Sequence, residues 1–120
     1  MYFMFIKVMD VRYKEDVVLA MQSEGIQRAS YIDSMDLDRS LSDDLQLFTG
    51  FFGTGGEEQQ IIITALVEDP AVGDEVISNL SQAGIPVESE PIIRLILWPV
   101  THVFDGPAGW VTRPQEPASS

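Results

Sequence analysis

One feature limits the folds open to this chain more than any other: a segment that occurs twice. Glu15-Asp16-Val17-Val18-Leu19-Ala20-Met21-Gln22-Ser23-Glu24-Gly25-Ile26 lies over Asp74-Glu75-Val76-Ile77-Ser78-Asn79-Leu80-Ser81-Gln82-Ala83-Gly84-Ile85 without a gap, at a constant offset of 59 residues. Each copy has helical spacing of apolar residues, with Val17, Val18 and Met21 in the first and Val72, Val76, Ile77, Leu80 and Ala83 in the second. Each closes at a glycine, Gly25 or Gly84, the residue that enters a left-handed C-terminal cap without a Cβ penalty. The second helix also has a start signal, because Asp69 can cap free backbone N–H groups and Pro70 suits the first helical position.

The same offset lays Tyr2 to Met9 over Ile61 to Glu68, two short runs rich in β-branched and aromatic residues that read as strands. A chance likeness between two amphipathic helices would not also align the strands before them. A further strand is expected after each helix, at about Gln27 to Asp33 and Pro91 to Trp98. The order is then βαββαβ. With right-handed crossovers, two such units interleave into an α+β ferredoxin-like plait, a four-stranded antiparallel sheet with both helices on one face, spanning residues 1–105.

If the other face met water, its strands would alternate apolar and polar residues. Instead Ile61-Ile62-Ile63-Thr64-Ala65-Leu66-Val67 is apolar on both sides, as are Ile93, Leu95 and Leu97 opposite Ile92, Ile96 and Trp98. Nothing else in the chain is long enough to cover that face, so the simplest cover is another copy, and a homo-oligomer is expected.

The 120 residues suit a single domain, and 45% hydrophobic content suffices for a core despite the charge. Nineteen acids against seven bases leave a formal charge of -12, which cannot supply the cationic field that holds nucleic acid. The absence of cysteine removes disulfides, thiolate zinc sites and cysteine nucleophiles. The apolar opening Met1 to Ile6 lacks a basic leader and a cleavage site, so it reads as a strand and not a signal peptide. Ile92 to Val100 is interrupted by Arg94 and Pro99, and no membrane insertion is expected. A cytoplasmic protein fits these features.

Between the second and third strands lie the residues Met35 to Glu58, where a hairpin needs only two to five or so. This loop, 35–58, holds Asp36, Asp38, Asp43 and Asp44, then Leu45, Phe48, Phe51 and Phe52, then Gly53-Thr54-Gly55-Gly56. Apolar side chains on a glycine-hinged loop suit a partner-binding tip, though Leu45, Phe48 and Phe51 folding back on their own subunit is an equal alternative. The spacing of the aspartates matches no calcium loop, which favours a solvated acidic segment. Residues 106–120, with Pro107, Pro114 and Pro117, read as a largely unstructured tail in which Trp110 is the one anchor.

Catalytic chemistry has few candidates. His102 is the only histidine, and its place just past the last strand suits a surface or interface residue better than an acid–base group. Carboxylates alone are a poor set for zinc or copper, and Gly53-Thr54-Gly55-Gly56 has neither the lysine nor the helix of a phosphate loop. No active site, metal site or certain cofactor emerges.

Two stretches carry a likeness to a known family: Gly25-Ile26-Gln27-Arg28-Ala29-Ser30, and Arg94-Leu95-Ile96-Leu97-Trp98-Pro99-Val100-Thr101-His102-Val103. Together with the long loop and the plait, they resemble the PII-like signalling proteins, relatives of the nitrogen regulatory protein P-II, over residues 1–105. There the first stretch usually reads Gly-Ile-x-Gly-Met-Thr, and the second reads lysine, four apolar residues and Pro-Val. The resemblance implies a homotrimer with sheets facing inward. It also implies small effectors, commonly adenine nucleotides, in clefts between subunits, and a long loop that docks on a transporter or enzyme. It implies too that Ser30 stands where a threonine hydroxyl meets the base and Arg94 where a lysine meets phosphate. Arg94 has a second reading, an ion pair with Glu88, Glu90 or a neighbour's carboxylate. The chain departs from the family at Glu90-Pro91-Ile92-Ile93, where a Gly-Asp-Gly turn would present backbone N–H groups to phosphate, and at Asp105-Gly106-Pro107, where basic residues are usual. The loop has no tyrosine, so nucleotidylation of a loop tyrosine is excluded.

The expectation is therefore a non-catalytic trimeric regulator that senses a small molecule or anion at subunit clefts. A divalent-cation tolerance protein of the CutA type is an equal match in fold, and a plait-fold small-molecule enzyme is a third possibility. The long loop favours the first.

Overall fold

The computed structural model describes residues 1–26, 28–35 and 59–114. Strand β1 (Tyr2–Val8) runs through a 3-10 turn (Val11–Tyr13) into helix α1 (Lys14–Ser23) and then strand β2 (Ala29–Ser34). Strand β3 (Gln60–Val67), helix α2 (Ala71–Gln82) and strand β4 (Ile93–Pro99) repeat the pattern. The four strands form one sheet in the order β2-β3-β1-β4, each neighbouring pair antiparallel. This α+β architecture is compatible with the expected ferredoxin-like plait.

The duplication extends to individual hydrogen bonds. At the end of α1, Ile26 N–H donates to Met21 O and Gly25 N–H to Gln22 O; at the end of α2, Ile85 N–H donates to Leu80 O and Gly84 N–H to Ser81 O. These are two Schellman caps at equivalent positions of the repeat. Each needs a residue at positive φ, and Gly25 and Gly84 stand at +78° and +86°. The apolar pairs that accompany such caps, Met21 with Ile26 and Leu80 with Ile85, belong to the core. Asp69 accepts from Ala71 N–H at 2.9 Å, so it caps α2 as its sequence suggests.

Alternation along the strands sends one set of side chains toward the helices. Met4, Ile6 and Val8 of β1 and Ile61, Ile63, Ala65 and Val67 of β3 are buried there with Val17 and Met21 of α1 and Val76 and Leu80 of α2. Asn79 ties the helices together, donating to Glu24 Oε1 at 2.9 Å and Ser23 Oγ at 3.1 Å.

Three expectations shift. Strand β2 runs Ala29–Ser34, where about Gln27 to Asp33 was expected, and Gln27 itself lies outside the described residues. Strand β4 begins at Ile93 and not at Pro91, because proline has no N–H for the ladder and Ile92 N–H turns back to Glu90 O at 2.8 Å. The loose tail expected after Asp105 is, as far as Thr112, part of a small hairpin of strands β5 (Val103–Phe104) and β6 (Trp110–Thr112) around a 3-10 turn (Gly106–Ala108). Asp105 N–H donates to Gly109 O at 2.9 Å across the turn, and the rings of Phe104 and Trp110 meet edge to face at 5.4 Å. Aromatic contact and turn geometry together order a segment whose proline content suggested otherwise. Residues 115–120 lie outside the described residues.

Candidate functional site

The sheet face away from the helices carries Phe3 and Phe5 from β1, Ile62 and Leu66 from β3, Ile96 and Trp98 from β4, and Ile32 from β2. None of these is fully buried. Leu66, Ile96 and Trp98 are each 41% exposed and Ile32 is 60% exposed, while on the helix-facing side Met4, Ile6 and Val8 of β1 and Ile61, Ile63, Ala65 and Val67 of β3 are buried. Phe3 and Trp98, cross-strand partners, bring their rings to 4.8 Å. Lys7, Ser30, Gln60, Thr64 and Arg94 share this face, so its apolar side chains form a band across the four strands, with polar groups at its margins.

At one end of the sheet lies a cavity of about 530 Å³, within the usual range for small-molecule sites. It opens between the C-terminus of α1, the start of β2, the end of β3 and the hairpin, and its lining includes the hydroxyls of Ser30 and Thr64 and the apolar Leu66, Val103 and Val111. Glu24, Glu68 and Asp105 contribute acidic groups to its lining, and Arg28, also in the lining, pairs with Asp105 at 2.7 Å. Both partners are substantially exposed, so that pair contributes orientation more than stability. A smaller cavity of about 240 Å³ lies between α1 and β2, where Lys14 Nζ stands 4.9 Å from the centre of the Tyr31 ring.

Ser30 is exposed on β2 and lines the larger cavity. Arg94 is exposed on β4, the opposite edge strand. Alternation puts both on the open face, but three strand spacings, roughly 14 Å, separate them, so one protomer does not bring them together. Among the described residues Arg94 forms no salt bridge, and the expected pairing with Glu88 or Glu90 is not made. Leu45, Phe48, Phe51 and Phe52 lie outside the described residues. His102 is exposed on the hairpin, its Nδ1 2.8 Å from Thr101 Oγ1 and its ring edge-on to Trp110 at 6.0 Å.

The groups with perturbed titration are elsewhere. Asp10 is held below the ordinary aspartate value, chiefly by its side-chain hydrogen bonds with Arg12, at 2.7 and 3.0 Å, and the Arg12 guanidinium is raised in return. Asp10 also accepts from Arg12 N–H, so this exposed pair caps the turn before α1 and accounts for its own shift. Among the described residues no three carboxylate or imidazole groups gather in a way that could hold a metal ion, and no helix is long and apolar enough to cross a membrane.

Lys7 is a residue the sequence reading passed over. It is the direct cross-strand partner of Arg94, a juxtaposition that only the register reveals. Comparison of the sequence with family models and with curated proteins finds no match to either.

Proposed function

We propose that this chain is a PII-like regulator without catalytic activity. It assembles as a trimer over the open sheet face, senses a small molecule at the clefts between copies, and signals through the loop at residues 35–58 to a transporter or enzyme. The observation that carries the reading is the open face itself, where Ile32, Leu66, Ile96 and Trp98 are exposed and Phe3, Phe5 and Ile62 half-buried, while on the helix side Met4, Ile6 and Val8 of β1 and Ile61, Ile63, Ala65 and Val67 of β3 are buried. Copies of the same chain are the simplest cover for such a surface.

The position of the two candidate ligand residues agrees with a ring. Ser30 and the cavity lie at the β2 edge, and Arg94 lies at the β4 edge. A two-fold contact through an edge joins like to like, whereas a head-to-tail ring sets the β2 edge of one copy against the β4 edge of the next. The cleft so formed would combine the cavity of one copy with Arg94 of its neighbour. Because Glu24, Glu68 and Asp105 are among the residues lining the cavity, the anionic part of a ligand such as an adenine nucleotide would face that arginine. A ligand held by two copies favours one arrangement of the elements beside it, and the loop follows by a shift of population. A cytoplasmic place and a role in nitrogen-linked signalling go with the family reading.

Mass in solution, measured alongside thermal shift against adenine nucleotides, bicarbonate, calcium, zinc and copper, tests this. A trimer stabilised by nucleotide or bicarbonate, with the effect abolished in Arg94→Ala, is the expected result. A well-folded monomer in dilute buffer overturns it. Stabilisation by a transition metal alone would point to cation tolerance, and turnover of a substrate to an enzyme.

A further inference from the structure

In a chain with seven basic and nineteen acidic side chains, a cation without a partner is conspicuous. Arg12 pairs with Asp10 and Arg28 with Asp105. Lys14 lies over Tyr31 and Arg113 over Trp110. Among the described residues Lys7 and Arg94 have neither a carboxylate nor an aromatic ring, and the β1–β4 register sets them directly opposite each other. Side chains so placed have Cβ atoms about 4.5–5.5 Å apart, and like charges there repel. Both stand on the open face, flanked along their strands by Phe5 and Ile96.

A third polar group adjoins them. Gln60 of β3 is on the same face, diagonal to Lys7, whose direct partner on that strand is Ile62. Gln60 is only 7% exposed, and its Oε1 has no hydrogen-bond partner. A terminal amide can turn to offer either its oxygen or its N–H donors, so this group can serve an anion as well as a cation.

We propose that Lys7 and Arg94, with Gln60 beside them, form an oxyanion site on the open sheet face for phosphate or the phosphoryl group of a larger ligand, and that its occupancy drives assembly over that face. The inference rests on the assembly proposed above. Covering the face moves two adjacent positive charges away from water, which is unfavourable unless a negative charge accompanies them. A divalent oxyanion answers both, taking forked N–H donors from the guanidinium and a point charge from the ammonium. Apolar neighbours lower the local dielectric and strengthen the attraction. An anion that binds the assembled form more tightly than the separated one shifts the equilibrium toward assembly by mass action.

The test is sedimentation equilibrium of the full chain in phosphate and in chloride at matched pH and ionic strength, with inorganic phosphate binding followed by calorimetry. The expected result is a dissociation constant of the assembly roughly tenfold lower in phosphate. The double variant Lys7→Met, Arg94→Met should assemble equally well in both salts and bind no phosphate. If that variant misfolds, the single variant Lys7→Gln should still lose most of the salt difference. A further arm with adenosine monophosphate distinguishes the sources, since an effect of free phosphate alone assigns the ion and an effect of the nucleotide alone assigns a phosphoryl group. Wild-type assembly of equal strength in chloride, phosphate and nucleotide overturns the anion site while leaving the assembly intact. A folded monomer in every buffer removes both.

Discussion

Replacing Ile32 by glutamate separates the fold from the assembly. Ile32 sits on the open face of edge strand β2, 60% exposed in the isolated chain and opposite Ile62. Full burial of such a side chain is worth about 1.5–3 kcal/mol, so covering the remaining three-fifths would contribute about 0.9–1.8 kcal/mol. Ile32→Glu loses that gain and adds an unpaired carboxylate that must give up its water, a cost of at least about 2 kcal/mol. Together these weaken each contact between copies by roughly 3 kcal/mol, more than a hundredfold in the dissociation constant. The protomer itself should lose less than about 1 kcal/mol, since the position is already solvated and only strand propensity changes. Light scattering across a concentration series reads the mass, and circular dichroism during urea unfolding reads the fold. Leu19→Glu, at a 63% exposed position on α1, is the control and should leave the mass unchanged. An Ile32→Glu variant that keeps the wild-type mass over the same concentrations refutes the reasoning. Dissociation of the Leu19→Glu variant in its place would put the contact on the helix side.

The two Schellman glycines make a matched pair. An added Cβ would meet nothing within 4 Å at either Gly25 or Gly84, so Gly25→Ala and Gly84→Ala should each cost only the conformational penalty of positive φ, about 1 kcal/mol, and by equal amounts in urea unfolding. Leu80, 1% exposed between the helix and the sheet, should cost about 2–5 kcal/mol as Leu80→Ala by the same assay. Asp10 should titrate below the ordinary aspartate range in carboxyl NMR, and Arg12→Ala should raise it again; because its folded pKa is the depressed one, whatever stability the pair gives is present above the usual aspartate range and lost as pH falls through the lowered value.

The parts of the fold that sequence makes legible are those with local signals. Helical spacing followed by glycine marked the turn at which each helix stops, with Gly25 and Gly84 at positive φ just past Ser23 and Gln82, and the shared offset found β1 and β3 before any register was known. Where backbone bonding decides, the reading drifted: Ile92 N–H turning back to Glu90 O delays β4, and no propensity reveals that. The hairpin was misread because Pro107 and its neighbours look like a linker, although the Asp105-Gly106-Pro107 turn and the flanking Phe104 and Trp110 were the signal. Site residues were harder still. Ser30 and Arg94 were singled out only through a family likeness, and the cavity depends on contacts between distant segments such as Arg28 with Asp105. Lys7 carries no signal in the sequence, and only the register sets it against Arg94.

The two halves of the chain match at the centre of the sheet and diverge at its edges, and that difference bears on how copies can meet. Strands β1 and β3 are interchangeable in character and pair with each other in the middle. Their companions are not alike: β2 reads Ala-Ser-Tyr-Ile-Asp-Ser, and β4 reads Ile-Arg-Leu-Ile-Leu-Trp-Pro. The stretch from Pro86 to Pro91 also delays β4 relative to its glycine cap, whereas β2 follows Gly25 almost at once. Had the edges stayed alike, the sheet would present the same surface on both sides, and no contact would have a reason to join one edge to the other. Unlike edges permit a heterologous contact, and a heterologous contact closes into a ring when its rotation allows. The asymmetry also divides the chemistry, with hydroxyl groups and the cavity at the β2 edge and the guanidinium at the β4 edge. In the assembly proposed above, a ligand that needs both groups would bind two copies at once, and its occupancy would be coupled to the geometry between subunits.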